Sequence, residues 1–103
     1  MKTFDSKKAS ERVVTEKSIE QAAVRYAKRL GFFTAKVAFT GHRGAHDRIF
    51  IKNRRVFFIE FKKLGEPASS AQIRFSKKMR GVKVDTYVCD DLLDAKSILF
   101  GRA

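Results

Sequence analysis

The sequence is poor in the residues that cross-link, break or anchor a chain. Cys89 is the one cysteine in 103 residues, so an intramolecular disulfide is excluded and the fold must hold by packing alone. No apolar run approaches the roughly 18 residues of a membrane span, nor the flanks of a signal peptide. The expectation is an intracellular, cytoplasmic protein with no membrane partner. The single proline, Pro67, leaves long stretches free for helices and strands. Repeats and low-complexity tracts are absent, which argues against a solenoid or a linker-rich chain. Acid is scarce as well, with 11 Asp and Glu against 23 Lys and Arg.

What is present defines a small globular domain. A chain of this length can bury about two-thirds of its unfolded surface, enough for one core but not two. Hydrophobic residues make up 44% of it and ten are Phe, too many aromatics for a disordered chain of this charge. The formal charge of +12 creates a field that attracts polyanions, so nucleic acid is the expected partner. Residues 1–14 are basic and weakly patterned and read as an N-terminal arm. Residues 15–103 read as one domain.

From Thr15, a plausible N-cap, Ile19, Ala22, Ala23, Tyr26, Ala27 and Leu30 recur on one helical stripe that Gly31 ends. "FFTAKVAF" reads as a first strand and "TGHRGAH" as a loop. "DRIFI" and "RVFFIEFK" then read as a hairpin turning at Asn53 and Arg54. "KLGEPASS" is a loop, Ser69 or Ser70 caps a second helix running to about Arg80, and "VKVDTYV" alternates as a fourth strand. Asp90 or Asp91 caps a last helix whose Leu92, Ala95 and Leu99 share a face. The order α-β-β-β-α-β-α predicts an α/β fold, a mixed four-stranded sheet flanked by helices, with a crossover to a parallel neighbour between strands three and four.

The scarce acids fall where a core cannot tolerate them. An even-length turn centred on Asn53 and Arg54 sets Asp47 directly opposite Glu60, and like charges so placed repel unless a cation lies between them. Alternation puts Val56, Phe58, Glu60 and Lys62 on one strand face, bringing an ammonium beside the carboxylates. Hard oxygen ligands of this kind suit Mg²⁺, which takes one or two carboxylates together with substrate phosphate. The competing structural reading is an ordinary ion pair between Glu60 and Lys62 at a strand end. Glu20 sits at the border of the first helix's apolar stripe and Gln72 on the buried side of the second helix's first turn, so each requires a partner. Glu16 points much as Glu20 does, but at a helix start where the dipole already favours it.

Glu20, "GHRGAHD" ending in Asp47, Glu60-Phe61-Lys62 and Ala71-Gln72 together resemble the VRR-NUC family, the virus-type replication-repair nucleases of the PD-(D/E)XK superfamily. The likeness runs from Thr15 to about Val88. It implies a restriction-endonuclease-like core and a stand-alone phage or virus-type enzyme acting in a bacterial host. It assigns catalytic roles to Glu20, Asp47, Glu60, Lys62 and Gln72. The metal falls to Asp47, Glu60 and the backbone carbonyl of Phe61, and Lys62 orients or activates the attacking water. Mg²⁺, with Mn²⁺ substituting, is the implied cofactor, and no small-molecule cofactor is expected. His46 stands where the superfamily's name calls for proline. His42, Arg43 and His46 lie in a basic loop and are read as DNA contacts. The expected activity is that of a structure-specific DNA endonuclease for repair, a homodimer acting on branched DNA such as a Holliday junction. The alternatives are a non-catalytic basic binding module, a monomeric flap or single-strand nuclease, and a metal-free ribonuclease using His42 or His46 as base.

Overall fold

A capping box starts the first helix. In the computed structural model, which describes residues 15–42, 44 and 48–101, the Thr15 hydroxyl accepts from Ser18 N at 3.0 Å. The Ser18 hydroxyl answers by accepting from Thr15 N at 3.1 Å. Helix α1 runs Glu16–Arg29 and buries Ile19, Ala23 and Ala27. Gly31, at φ 95°, ends it: Phe32 N donates to Ala27 O and Gly31 N to Lys28 O, the paired bonds of a Schellman motif. The chain continues through β1 (Phe33–Lys36), β2 (Arg48–Lys52), β3 (Arg55–Phe61), α2 (Ser70–Gly81), β4 (Asp85–Cys89) and α3 (Leu92–Phe100).

The sheet order is β1-β2-β3-β4, antiparallel across the first two pairs and parallel between β3 and β4. This is the mixed α/β architecture that the sequence pattern predicts. The β2–β3 hairpin turns in two residues, with Asn53 at φ 55°, a left-handed conformation that Asn tolerates. Its register pairs Lys52 with Arg55, Phe50 with Phe57 and Arg48 with Ile59.

Alternation divides the Phe residues between the two sheet faces. Phe50, Phe57, Ile59 and Phe61 point to the face covered by α1 and α3, where they meet Ile19, Ala23, Ala27, Ala95, Ile98 and Leu99. Phe50 stacks on Phe57 at 5.5 Å, and Phe32 approaches each ring edge-on. Burying one such ring contributes about 1.5–3 kcal/mol, and each aromatic pair about 0.5–1.5 more. Ala23 and Ala27 are fully buried, and their small side chains let α1 approach the sheet closely. On the opposite face Phe39 lies edge-on to both Phe58 and Phe75, fastening α2 to the sheet.

Three boundaries differ from the sequence reading. Strand β1 ends at Lys36 instead of Phe39, because Phe39 leaves the ladder to pack against Phe58 and Phe75. Helix α2 continues through Gly81, and the left-handed residue is Lys83, at φ 68°. Val84 N donates to Met79 O and Lys83 N to Arg80 O, a second Schellman motif with Lys where Gly is usual. β4 consequently starts at Asp85 and not at Val82. The N-terminal arm at 1–14 lies outside the described residues.

Candidate active site

The hairpin register governs the carboxylates. Each pair from Lys52–Arg55 to Arg48–Ile59 follows the two-residue turn, the register on which the expected pairing of Asp47 with Glu60 is counted. Asp47 itself, with Arg43 and His46, falls outside the described residues. Glu60 is half-buried and shares the Phe58 face of β3, the face against which α2 packs. In the parallel ladder it pairs with Val88, and the bonding runs on to Lys62, whose N–H donates to Cys89 O at 2.8 Å. That bond carries strand-like backbone one residue past the formal end of β3 and keeps Lys62 in phase with Glu60.

The Lys62 side chain is only 12% exposed, and its Nζ lies 3.7 Å from a carboxylate oxygen of Glu66. The sequence reading overlooked Glu66. The available signal was its spacing, four residues beyond Lys62 in "EFKKLGEP". A mostly buried ammonium needs a counter-charge, and Glu66, on the loop leaving the strand, provides one.

Gln72 is buried at the start of α2, and its partner is its own helix cap. Ser69 N donates to Gln72 Oε1 at 2.9 Å while Gln72 N donates to Ser69 Oγ at 3.1 Å. The amide thus fixes where α2 begins, on the sheet face that carries Glu60 and Lys62. Gly44 belongs to the same construction. Its φ is 78°, and a β-carbon there would lie 2.3 Å from the Ala71 carbonyl carbon and 2.6 Å from Gln72 N. Only glycine lets the loop from β1 to β2 lie so close to the first turn of α2.

Glu20 stands apart from this group. Its carboxylate accepts from Arg48 Nε at 2.7 Å and lies 3.7 Å from Lys36 Nζ, while Arg48 Nη1 donates to Thr34 Oγ1 at 3.1 Å. Arg48 pairs in register with Ile59, so this network occupies the α1 face of the sheet, opposite Glu60. The sequence reading expected Glu20 to look inward and to need a partner, and Arg48 is that partner. Arg48 was missed, although strand parity alone sends it to the face opposite its neighbour Asp47. The side chains of Glu20 and Arg48 are 12% and 14% exposed. They line a groove of about 760 Å³ with Glu16, Lys17, Arg25 and Lys36.

Among the described residues no three His, Cys, Asp or Glu side chains converge as a metal cage. The donor set foreseen here is smaller: one carboxylate from each hairpin strand and a main-chain carbonyl, of which Glu60 and Phe61 are described. A half-buried carboxylate and a main-chain carbonyl are oxygen donors of the kind that hard divalent cations take.

Comparison with proteins of known structure identifies the fold. A VRR-NUC domain superposes with a TM-score of 0.76 at 20% identity, covering 85% of this chain and 97% of the other, so the fold is that of a VRR-NUC domain. No family model matches the chain. In sequence it is 30% identical over 89 residues to "Putative nuclease p44" of Acyrthosiphon pisum secondary endosymbiont phage 1, across 85% of this chain and 95% of that protein. The chain belongs to the VRR-NUC family.

Proposed function

We propose that the protein is a divalent-metal-dependent DNA endonuclease whose site is formed by Asp47, Glu60 and Lys62 on the α2 face of the sheet. The observation that carries this reading is the hairpin register, which runs from Lys52–Arg55 to Arg48–Ile59; continued by one pair it would bring Asp47 to Glu60, with Lys62 two residues further along the strand. Asp47, Glu60 and the Phe61 carbonyl would hold Mg²⁺, or Mn²⁺ in its place. Such an ion supplies Lewis acidity and a water of lowered pKa. Lys62 orients the attacking water and offsets charge developing on the phosphoryl oxygens. The oxygen of that water bonds to phosphorus, the P–O3′ bond breaks, and the 3′ oxygen takes up a proton. The products are a 5′-phosphate and a 3′-hydroxyl. Gln72 and Gly44 set the loop and α2 around this face. Residues 15–103 are the nuclease domain, and the basic arm at 1–14 precedes it.

The preferred substrate in this reading is branched DNA, above all a four-way junction, cut by a homodimer. An apolar stripe supports the dimer: Phe33, Ile51 and Val56 are in register across β1, β2 and β3, and Phe33 is 61% exposed. A second copy related by a two-fold axis would cover this stripe and place two sites on one basic surface. A junction, with two strands of like polarity to cut, matches that arrangement.

The test is cleavage of linear, flapped, forked and four-way DNA with Mg²⁺ or Mn²⁺, beside light scattering. Wild type is expected to cut the junction fastest, to stop with EDTA, and to scatter at twice 11.8 kDa. Asp47→Asn should abolish cutting while leaving binding near wild type. Cutting by Asp47→Asn at the wild-type rate would refute the site. A monomeric mass, or linear duplex cut as fast as a junction, would refute the dimeric junction enzyme while leaving the nuclease.

A further inference from the structure

A second feature lies on the α2 side of the sheet, separate from the carboxylates. Gly41, His42, Ala71, Arg74, Phe75 and Lys78 enclose a cleft of about 230 Å³ between the β1–β2 loop and α2. Three of the six are basic and none is acidic. The excess extends along the helix: α2 reads "SAQIRFSKKMRG", with Arg74, Lys77, Lys78 and Arg80 all exposed and no Asp or Glu in its twelve residues. Three basic side chains elsewhere are compensated instead. Arg48 and Lys36 pair with Glu20 in the groove on the opposite face, and Lys62 pairs with Glu66. Within the described residues, His42, Arg74 and Lys78 have no acidic partner.

Arg74 and Lys78, two cations without counter-charge beside one cleft, repel each other, and an anion relieves that repulsion while His42 can offer it a ring N–H. Arg74 and Lys78 are one helical turn apart, so their β-carbons are about 5–6 Å from each other and both side chains can reach one phosphate. The cleft is held in shape from two sides. Phe75 forms its floor, wedged against Phe39, and Gly44 presses the loop onto Ala71 and Gln72.

We propose that His42, Arg74 and Lys78 form a phosphate-binding cleft that seats the backbone of the DNA strand next to the cleavage site, a role that rests on the nuclease reading above. Phe39 packs edge-on to both Phe75 and Phe58, so a strand seated in the cleft lies on the sheet face that carries Glu60 and Lys62. The groove beside α1, although it contains Lys17 and Arg25, lies across the sheet and contributes only to the general field.

The experiment measures binding without cleavage, by fluorescence anisotropy of a labelled four-way junction in EDTA across a series of salt concentrations. Each phosphate contact on duplex contributes a slope of about 0.9 in log K against log[salt], so Arg74→Ala/Lys78→Ala should lower the slope by roughly 1–2 and weaken binding about ten-fold or more near 0.1 M salt. The charge-preserving pair Arg74→Lys/Lys78→Arg should retain most of the wild-type slope. Lys17→Ala/Arg25→Ala, which removes the same charge from the other face, should change it far less. All four positions are exposed, and melting by circular dichroism should confirm that each variant folds. Equal losses from the two alanine pairs would show a diffuse field and overturn the cleft, as would an unchanged slope in Arg74→Ala/Lys78→Ala. Because no metal is present, neither result depends on whether the protein cleaves DNA.

Discussion

Glu20 can serve the site as a ligand or as an anchor, and the two roles predict different mutant behaviour. Its carboxylate accepts from Arg48 Nε at 2.7 Å, with both side chains almost excluded from solvent. Breaking a buried pair by removing one partner costs about 3–5 kcal/mol, because the other charge is left buried and unpaired. Here residual exposure and Lys36, 3.7 Å from the same carboxylate, reduce the cost, and about 2–3 kcal/mol is expected for Glu20→Ala. For a domain of this size that lowers the melting temperature by roughly 10–20 °C. Arg48→Ala should cost a similar amount, since it strands Glu20 and releases Thr34 Oγ1. The double mutant should cost little more than either single one, giving a coupling of about 1–2 kcal/mol where independent sites add within roughly 0.5. The exchange Glu20→Arg/Arg48→Glu should recover part of the stability. Arg48 starts β2 immediately after Asp47, so loosening it should weaken Ca²⁺ or Mg²⁺ binding by calorimetry equally in both single mutants. A Glu20→Ala protein that melts as wild type yet loses metal affinity, beside an Arg48→Ala protein that keeps it, would refute the anchor and make Glu20 a ligand.

Lys62→Ala should lose far more turnover than DNA affinity, because one ammonium among 23 basic residues is a small part of binding; equal losses in single-turnover and anisotropy assays would make Lys62 an ordinary phosphate contact. Gly44→Ala places a methyl 2.3 Å from the backbone of Ala71, so cleavage should fall at least ten-fold as the loop before Asp47 is displaced, and wild-type kinetics would contradict the close approach. Arg55 donates to Ile98 O and Leu99 O at the end of α3 and lies over the Phe57 ring at 4.8 Å; Arg55→Ala should destabilise by about 2 kcal/mol in denaturant titration. Lys83→Gly relieves the left-handed φ of 68° and should stabilise the protein by up to about 1 kcal/mol; a loss would show that Lys83 makes contacts worth more than its strain.

The elements legible in the sequence are those whose signals are local. Thr15, Gly31 and the stripe from Ile19 to Ala27 define α1 within a residue or two, because a capping box and a Schellman motif are each written into fewer than seven positions. The hairpin was legible for the same reason, with one Asn able to take the left-handed turn. Two boundaries were not, and in each a tertiary demand outweighed propensity. Phe39 has a strand former's side chain but gains more by wedging between Phe58 and Phe75. Gly81 resembles a helix stop, yet the helix passes through it, since the carbonyls of Met79 and Arg80 take their closing bonds from Val84 and Lys83.

Around the candidate site, strand faces and inward polar residues were legible and their partners less so, and the difference has one physical source. Parity along a strand is a sequence property, so Glu60 and Lys62 could be assigned to one face by alternation alone. The partner that satisfies a half-buried charge is set by how elements stack, which no spacing records. Glu20 was legible as an inward carboxylate, but its partner depends on α1 lying over the start of β2, where Arg48 emerges on the near face. Gln72 was legible as a buried amide, but its acceptor is occupied by Ser69 at its own helix start. The sheet therefore separates two clusters of charged residues. One face holds a compensated network that fixes β2 under α1, and the other holds Glu60, Lys62 and the uncompensated cations of α2. Arg74 and Lys78 have no acidic partner among the described residues, and α2, which carries them, packs on the face on which Glu60 lies, so a polyanion drawn to them comes to that face.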